Sequence, residues 1–497
     1  DTVEVYEIDA TGQHTMKFKT NIANEEQDSI YAKRKTFLQA IQREHRVNNY
    51  AIQNCISLTL NFTITVLNEE PTFHHWIVVS QVGSQNKEVL QFASHNHLLP
   101  WVGTAIETGG LQYQSNVTKE GRVFCFLPMP KEASSPLPVY VNGTFGLNDD
   151  RRSLKWQSSE RKNDVAAEWN KFLVMDVVPP CYALLIRYAT DQLEMPHTHI
   201  YNMWPDVEAV KGTEWEPLLT SLFKILITND RIVWTSMPAS EASPSAMQGE
   251  WISVRAATFV PQTEKLSQLS QIHSSLHRCG VKLVEVPALI HRALKLLRCS
   301  ITNLTPDLAR EKLKATHSCY EKADTTKKIE LLMYCLSDNS YENLIGLRLL
   351  PLENNSFTAF KGKSGQPIYV CNSAFPMDLF PNKDHLIVSS QHTDALTVLE
   401  KVASSNKTQV QVMDLPSAVK LIKECFPSQW QQQQQVTVSR ADPLFPAAWF
   451  TTFWKWVQQY DLSQFAGEMV LPLGREPISR APTFQVTRLS SDSPVLC

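Results

Sequence analysis

The chain has 497 residues, 43% hydrophobic and 20% charged, with 47 basic side chains against 50 acidic ones and a net charge of −3. That composition excludes a wholly disordered chain and offers no basic surplus for a nucleic-acid carrier. Only 16 glycines occur, and neither GxGxxG nor GxxxxGK[ST] is among the motifs, so the backbone cradles that bind phosphate in familiar nucleotide sites are missing. The nearest feature is the pair Gly109-Gly110. At roughly 150 residues per domain the length predicts about three domains. No run of 18 apolar residues is present, so no membrane span is expected. The chain opens at Asp1 and ends at Cys497 without an apolar leader, and is read as a piece of a longer protein.

In chain order, Val3 to Ile8 and Met16 to Phe18 flank a turn at Asp9-Ala10-Thr11-Gly12 and predict a hairpin. Glu25 to His45 places Ile30, Phe37, Leu38 and Ile41 at helical spacing. Ile56, Leu58, Leu60, Phe62, Ile64 and Val66 alternate with polar residues, the pattern of a half-buried antiparallel strand. Asn68-Glu69-Glu70-Pro71 turns the chain into a strand over Trp76 to Ser80. Further strands are expected over Arg122 to Leu127 and Val139 to Phe145. Glu168 to Val178 and Cys181 to Leu193 read as two helices parted by Pro179-Pro180, because proline lacks the N–H that would continue the first. Glu216 to Ile227 is a third helix, and a Pro/Ser/Ala-rich loop at Met237 to Gly249 marks a boundary.

Beyond it, helices and short strands alternate. Glu264 to Cys279 is a helix closed by Gly280, Val281 to Val286 a strand, and Pro287 to Leu297 a helix. Thr305-Pro306-Asp307 starts another, with Thr at the cap and Pro at the first helical position. Lys327 to Leu336 is a helix. Leu347 to Leu352 and Ile368 to Asn372 are expected to form strands around a hairpin. Asp414 to Phe426 is a Pro-started helix, and the glutamines 431 to 435 form a solvated loop. Phe445 to Tyr460 gathers Trp449, Phe450, Phe453, Trp454 and Val457 on one core-facing side. A strand near Phe484 to Leu489 closes the pattern. The fold class is α+β with α/β character: an antiparallel sheet with helices over 1–165, a helical segment over 166–248, and a mixed helix–strand region over 249–497.

The ten cysteines contain no CxxC and sit mostly in apolar stretches, which predicts free thiols. Six Asn-X-Ser/Thr triplets, at Asn61, Asn116, Asn142, Asn303, Asn354 and Asn406, arise by chance in a chain of this length. The pairs His95/His97 and His197/His199 lack further ligands, so no metal site is expected. No GxSxG, HExxH or paired-acid motif appears, and no catalytic residue is assigned. One segment is denser in unusual residues: Cys125-Phe126-Leu127-Pro128-Met129-Pro130, Pro138-Val139-Tyr140-Val141-Asn142-Gly143-Thr144-Phe145, then Arg151-Arg152-Ser153-Leu154-Lys155-Trp156. The Arg pair suits an anion, since guanidinium matches phosphate bidentately. Asp149 and Asp150 beside it also suit an ordinary surface loop.

These residues, with Trp169-Asn170, Trp251 to Phe259, Leu349-Leu350-Pro351-Leu352 with Ser356-Phe357, Leu471-Pro472-Leu473 and Leu489 to Val495, resemble the sacsin-repeat family along nearly the whole chain. The resemblance implies a non-enzymatic module of a giant chaperone, following an ATPase-like domain similar to that of the 90-kDa heat-shock chaperone. That domain's motifs are missing here. It implies no cofactor in this segment, with ATP held by the upstream domain, and Arg151 or Arg152, with Asn142, reaching the nucleotide or another anion. It further implies client proteins as partners, contact with the 70-kDa chaperone and the proteasome through other domains, no nucleic acid, and a cytoplasmic, mitochondria-associated, neuronal setting. The competing expectation is an interaction scaffold without nucleotide coupling.

Overall fold

The computed structural model describes all residues except 1–2, 10, 23, 48–50, 52, 109–120, 158–163, 193–195, 230, 237–248, 461, 474–481 and 491–497. Gly109-Gly110, Asn116, the loop 237–248, Cys497 and the end of the last family-like stretch therefore lie outside the described residues. The chain is α+β throughout and divides into two compact units, Asp1–Leu266 with Lys282–Asn303, and Ser267–Val281 with Leu304–Cys497.

The first unit is built on an eight-stranded sheet. Its strands are β1 Val3–Ile8, β2 His14–Ile22, β3 Asn54–Val66, β4 Thr72–Val82, β5 Trp101–Glu107, β6 Val123–Cys125, β7 Leu127–Pro128 and β8 Tyr140–Gly143. They run in the order β1-β2-β3-β4-β5-β8-β6-β7. The expected hairpin β1–β2 and the alternating strand β3 are present and antiparallel. Strand β5 and the helix α2 (Lys87–His95) escape the sequence reading, because WVGTAIE alternates poorly and α2 is only nine residues long. The single strand expected over Arg122 to Leu127 is instead two short strands folded back at Phe126, which takes φ +60°. Helix α1 (Asn24–Val47) forms as predicted, but its apolar side is only partly covered: Ile30, Phe37 and Ile41 are half-buried, and Tyr31 and Leu38 are exposed.

The two helices expected around Pro179-Pro180 are one continuous helix, Val165–Asp191. Helix α3 (Val165–Phe172) runs through a π-helical turn, Leu173–Val177, into α4 (Val178–Gln192). Two prolines in the first turn of α4 remove N–H donors and crowd the preceding carbonyls. The wider turn takes up that conflict, with Val178 N donating to Leu173 O. The joined helix is long and apolar enough by composition to cross a membrane. Here its apolar side chains are spent on the core: Leu173, Val174, Val177, Val178, Leu185 and Ile186 are all fully buried. It packs on the sheet, where Thr104 Oγ1 donates to Cys181 O (3.3 Å) and Cys181 Sγ to Val79 O (3.5 Å). Helices α5 (His197–Tyr201), α6 (Val207–Val210) and α7 (Glu216–Asn229) follow. A second, mixed sheet orders Gly249–Ile252, Val233–Ser236, Leu283–Val284, Thr258–Phe259 and Thr302–Asn303.

The second unit begins with helices Ser270–Arg278, Pro306–Ala315, Ser318–Glu321 and Thr325–Leu336. Thr305 caps the second of these as expected, accepting from Leu308 N at 3.2 Å. Leu350–Pro351 pairs with Phe357–Thr358, turning at Asn355 in the left-handed conformation. Ile368–Val370 does not join that hairpin; it runs parallel to Val410–Val412 across helix Thr393–Ser405. Strands Gln435–Ser439, Thr483–Arg488 and Met469–Leu473 form a three-stranded sheet. The aromatic helix Ala447–Val457 buries Trp449, Phe450, Phe453 and Trp456. The glutamine run is exposed, yet Arg488 pins its backbone through Gln431 O (2.6 Å) and Gln433 O (3.1 Å).

The expectation of free cysteines fails at one pair. Cys279, at the C-terminal cap of Ser270–Arg278, is bonded to Cys319, with 5.5 Å between their Cα atoms. A separation of 40 residues is invisible to spacing rules. Burial pushes the Cys181, Cys335, Cys371 and Cys425 thiols up to about 12, whereas Cys55 is exposed. Iodoacetamide at pH 8 is therefore expected to label Cys55 and spare Cys181 and Cys335 until the protein unfolds, with peptide mapping recovering Cys279 and Cys319 cross-linked. Rapid native labelling of Cys181 contradicts this packing.

Candidate functional site

The sequence singles out Asn142, Arg151 and Arg152, and the structure places them in two neighbouring stretches of chain with different tasks. Asn142 lies on β8, paired with Gly103 and Phe124. Its Oδ1 accepts from Phe126 N at 3.0 Å and so holds the tight β6–β7 turn. Arg151 and Arg152 sit at the tip of the following loop, closed by a bridge between Leu147 and Leu154. Asn148 N donates to Ser153 O (3.0 Å), Arg151 N to Asn148 O (2.8 Å), and Asn148 Nδ2 to Ser153 Oγ (2.7 Å). Arg152 N donates to Asp150 Oδ1 (2.9 Å). Arg151 adopts φ +56°, a left-handed conformation that costs a residue with a side chain energy unless its surroundings fix it.

Both guanidinium groups are exposed. Among the described residues neither arginine forms a direct ion pair, and Asp150 accepts from the Arg152 backbone. Two exposed cations on one hydrogen-bonded turn, without a direct ion pair, are suited to an incoming anion.

The turn stands on a buried base supplied by α3. Asn170 is wholly buried, and its Nδ2 donates to Gly146 O (2.7 Å) and Lys155 O (2.8 Å) while its Oδ1 accepts from Gly146 N (2.7 Å). One side chain thus clamps the two strands leading into and out of the arginine tip. Trp169, also buried, donates from Nε1 to Thr144 O at 2.8 Å. The clamp requires glycine at 146, since a Cβ there would lie 2.6 Å from Ala166 Cβ. At the helix start, Asp164 accepts from Ala166 N (3.0 Å) and Ala167 N (3.1 Å) and pairs with Lys155 (2.9 Å). Lys155, with help from these amides, holds the Asp164 carboxyl below its usual range. Trp156 closes the far end edge-on against Trp215, 6.4 Å between centroids.

His74 Nδ1 meets the Glu107 carboxylate, and His197 stacks on Trp234 at 5.5 Å. Among the described residues no group of three His, Cys, Asp or Glu is placed to hold a metal ion. The sequence reading took Trp169 and Asn170 only as part of a likeness. The available cue was a lone asparagine inside VAAEWNKFLVM, where an amide on the buried side of a helix must have partners.

The chain is 30% identical over 405 residues to sacsin of Homo sapiens, covering 76% of this chain and 8% of that protein. No family model and no solved structure matches it.

Proposed function

The chain is sacsin-like, and from that premise we propose that it is a non-catalytic module of a large chaperone, coupling the nucleotide state of an upstream ATPase-like domain to client or neighbouring-domain binding. The observation that carries this reading is the pair of exposed arginines on a turn clamped by Asn170. An arginine reaching a terminal phosphate stabilises its charge and ties nucleotide state to domain position. ATP belongs to the upstream domain in this reading, and the present chain holds no cofactor. Clients meet this module in the cytoplasm and at mitochondria, while the 70-kDa chaperone and the proteasome are engaged through other domains.

The chain alone is expected to hydrolyse no ATP. In a longer protein carrying the ATPase-like domain, Arg151→Ala with Arg152→Ala should lower turnover or nucleotide affinity at least tenfold. Folding should be unchanged, because exposed side chains of this kind contribute little to stability. Unchanged affinity, turnover and domain closure in the double variant would favour the scaffold reading instead.

A further inference from the structure

A second polar site lies away from the arginine turn, in a cleft of about 550 Å³ among β4, the start of α2, the π-helical turn, α4 and α7. Its lining includes Gln81 of β4, on the same face as the core residues Ile77 and Val79. Gln81 is 1% exposed, and its Nε2 has no hydrogen-bond partner. Asp176, from the π-helical turn, lines the same cleft, and its Oδ2 is buried without a partner. Burial pushes the Asp176 carboxyl up, with Glu88 adding to the rise and a hydrogen bond to the Asn86 side chain opposing it. Leaving a buried donor and a buried acceptor unpaired is unfavourable, because each has given up water without gaining a partner. Two such groups lining one cleft therefore mark a place where a ligand's polar atoms gain more than they lose on leaving water. The π-helical turn, a feature frequent at functional sites, brings an acid into a helix stretch that is otherwise apolar. Lys224, which is exposed, also lines the cleft and places a cation at its rim.

We propose that this cleft binds the carboxamide side chain of an asparagine or glutamine carried on an acidic peptide segment. Gln81 Nε2 donates to the ligand's amide oxygen, the ligand's NH₂ donates to Asp176 Oδ2, and Lys224 receives a flanking carboxylate. A primary amide is the simplest group offering one acceptor and one donor side by side, and it answers both unpaired atoms at once. The volume admits a side chain with its adjoining backbone. This inference goes beyond nucleotide coupling and does not depend on it.

The test is calorimetric titration of the 497-residue chain with acetyl-Glu-Gln-Glu-amide and acetyl-Glu-Leu-Glu-amide. The glutamine peptide should bind at least tenfold more tightly. Asp176→Asn, which puts an NH₂ donor in place of one carboxylate oxygen, should shift the preference toward acetyl-Glu-Glu-Glu-amide. The exposed change Lys224→Ala should weaken every acidic peptide several-fold, and remains informative if Asp176→Asn does not fold. Arg151→Ala should leave all these affinities unchanged, which separates this site from the arginine turn. Equal affinities for the glutamine and leucine peptides, no binding of either up to millimolar concentration, or a preference unaltered by a folded Asp176→Asn variant would overturn the proposal.

Discussion

Asn170→Ala is expected to destabilise the first unit by about 2–4 kcal/mol, because it removes three hydrogen bonds and leaves Gly146 N–H, Gly146 C=O and Lys155 C=O without their partner in a buried setting. Urea unfolding followed by tryptophan fluorescence measures the loss. The conservative change Asn170→Asp should not rescue it: the carboxylate keeps the bond from Gly146 N but loses both donated bonds and buries a charge. Hydrogen exchange separates this effect from general loosening. Amides from Asn148 to Ser153 should exchange faster in Asn170→Ala, while those of the β3–β4 pair remain protected. A variant with full stability and unaltered exchange in the turn contradicts the clamp.

The second large effect is expected at Arg310, in the second unit. Its side chain is 1% exposed, donates from Nη1 to Cys335 O, and makes a two-pronged pair with Asp338 at 2.8 and 2.7 Å, with Asp307 at 3.2 Å. It thereby ties helix Pro306–Ala315 to the end of helix Thr325–Leu336. Arg310→Met should cost about 3 kcal/mol, since it strands the Cys335 carbonyl and the Asp338 carboxylate. Arg310→Lys should recover little, because a single ammonium cannot reproduce the fork. Adding Asp338→Asn to Arg310→Met should return part of the loss.

This loss should depend on pH in a defined direction. Hydrogen bonds from Arg310 hold the Asp338 carboxyl below its usual range. A depressed carboxyl contributes stability that is complete above its unfolded pKa of about 3.9 and disappears as pH falls through its folded value. The gap between wild type and Arg310→Met is therefore expected to be full at pH 7 and to narrow below about pH 4. A gap that widens on acidification contradicts the pairing.

The sequence revealed elements whose signals are local. The alternation from Ile56 to Val66 gave β3, the Thr305-Pro306 start gave its helix, and the aromatic stripe from Trp449 to Val457 gave the core of the second unit. Signals that depend on distant partners were misread or missed. Pro179-Pro180 looked like a break because a π-helical turn upstream is not encoded by periodicity. The partner of Ile368–Val370 lies about 40 residues away, across a helix, so the nearer Leu350 stretch seemed the natural mate. At the candidate site the arginines were legible as charge. The clamp beneath them was not, since nothing local links Asn170 to Gly146 and Lys155. Gln81 and Asp176 were invisible for the same reason: nothing local links the two, Asp176 being a single acid in an apolar run and Gln81 one of several polar residues near the end of β4.

The central claim is that the arginine turn meets the nucleotide of the preceding domain. Photolabelling a longer protein that carries that domain, with an ATP analogue whose photoreactive group is attached to the γ-phosphate, tests it most directly. The account predicts that label is recovered on the peptide containing Arg151 and Arg152, and that Asn170→Ala reduces this labelling while leaving label on the ATPase-like domain. Label confined to the ATPase-like domain in the wild-type protein, with none on the arginine turn at saturating nucleotide, would contradict it.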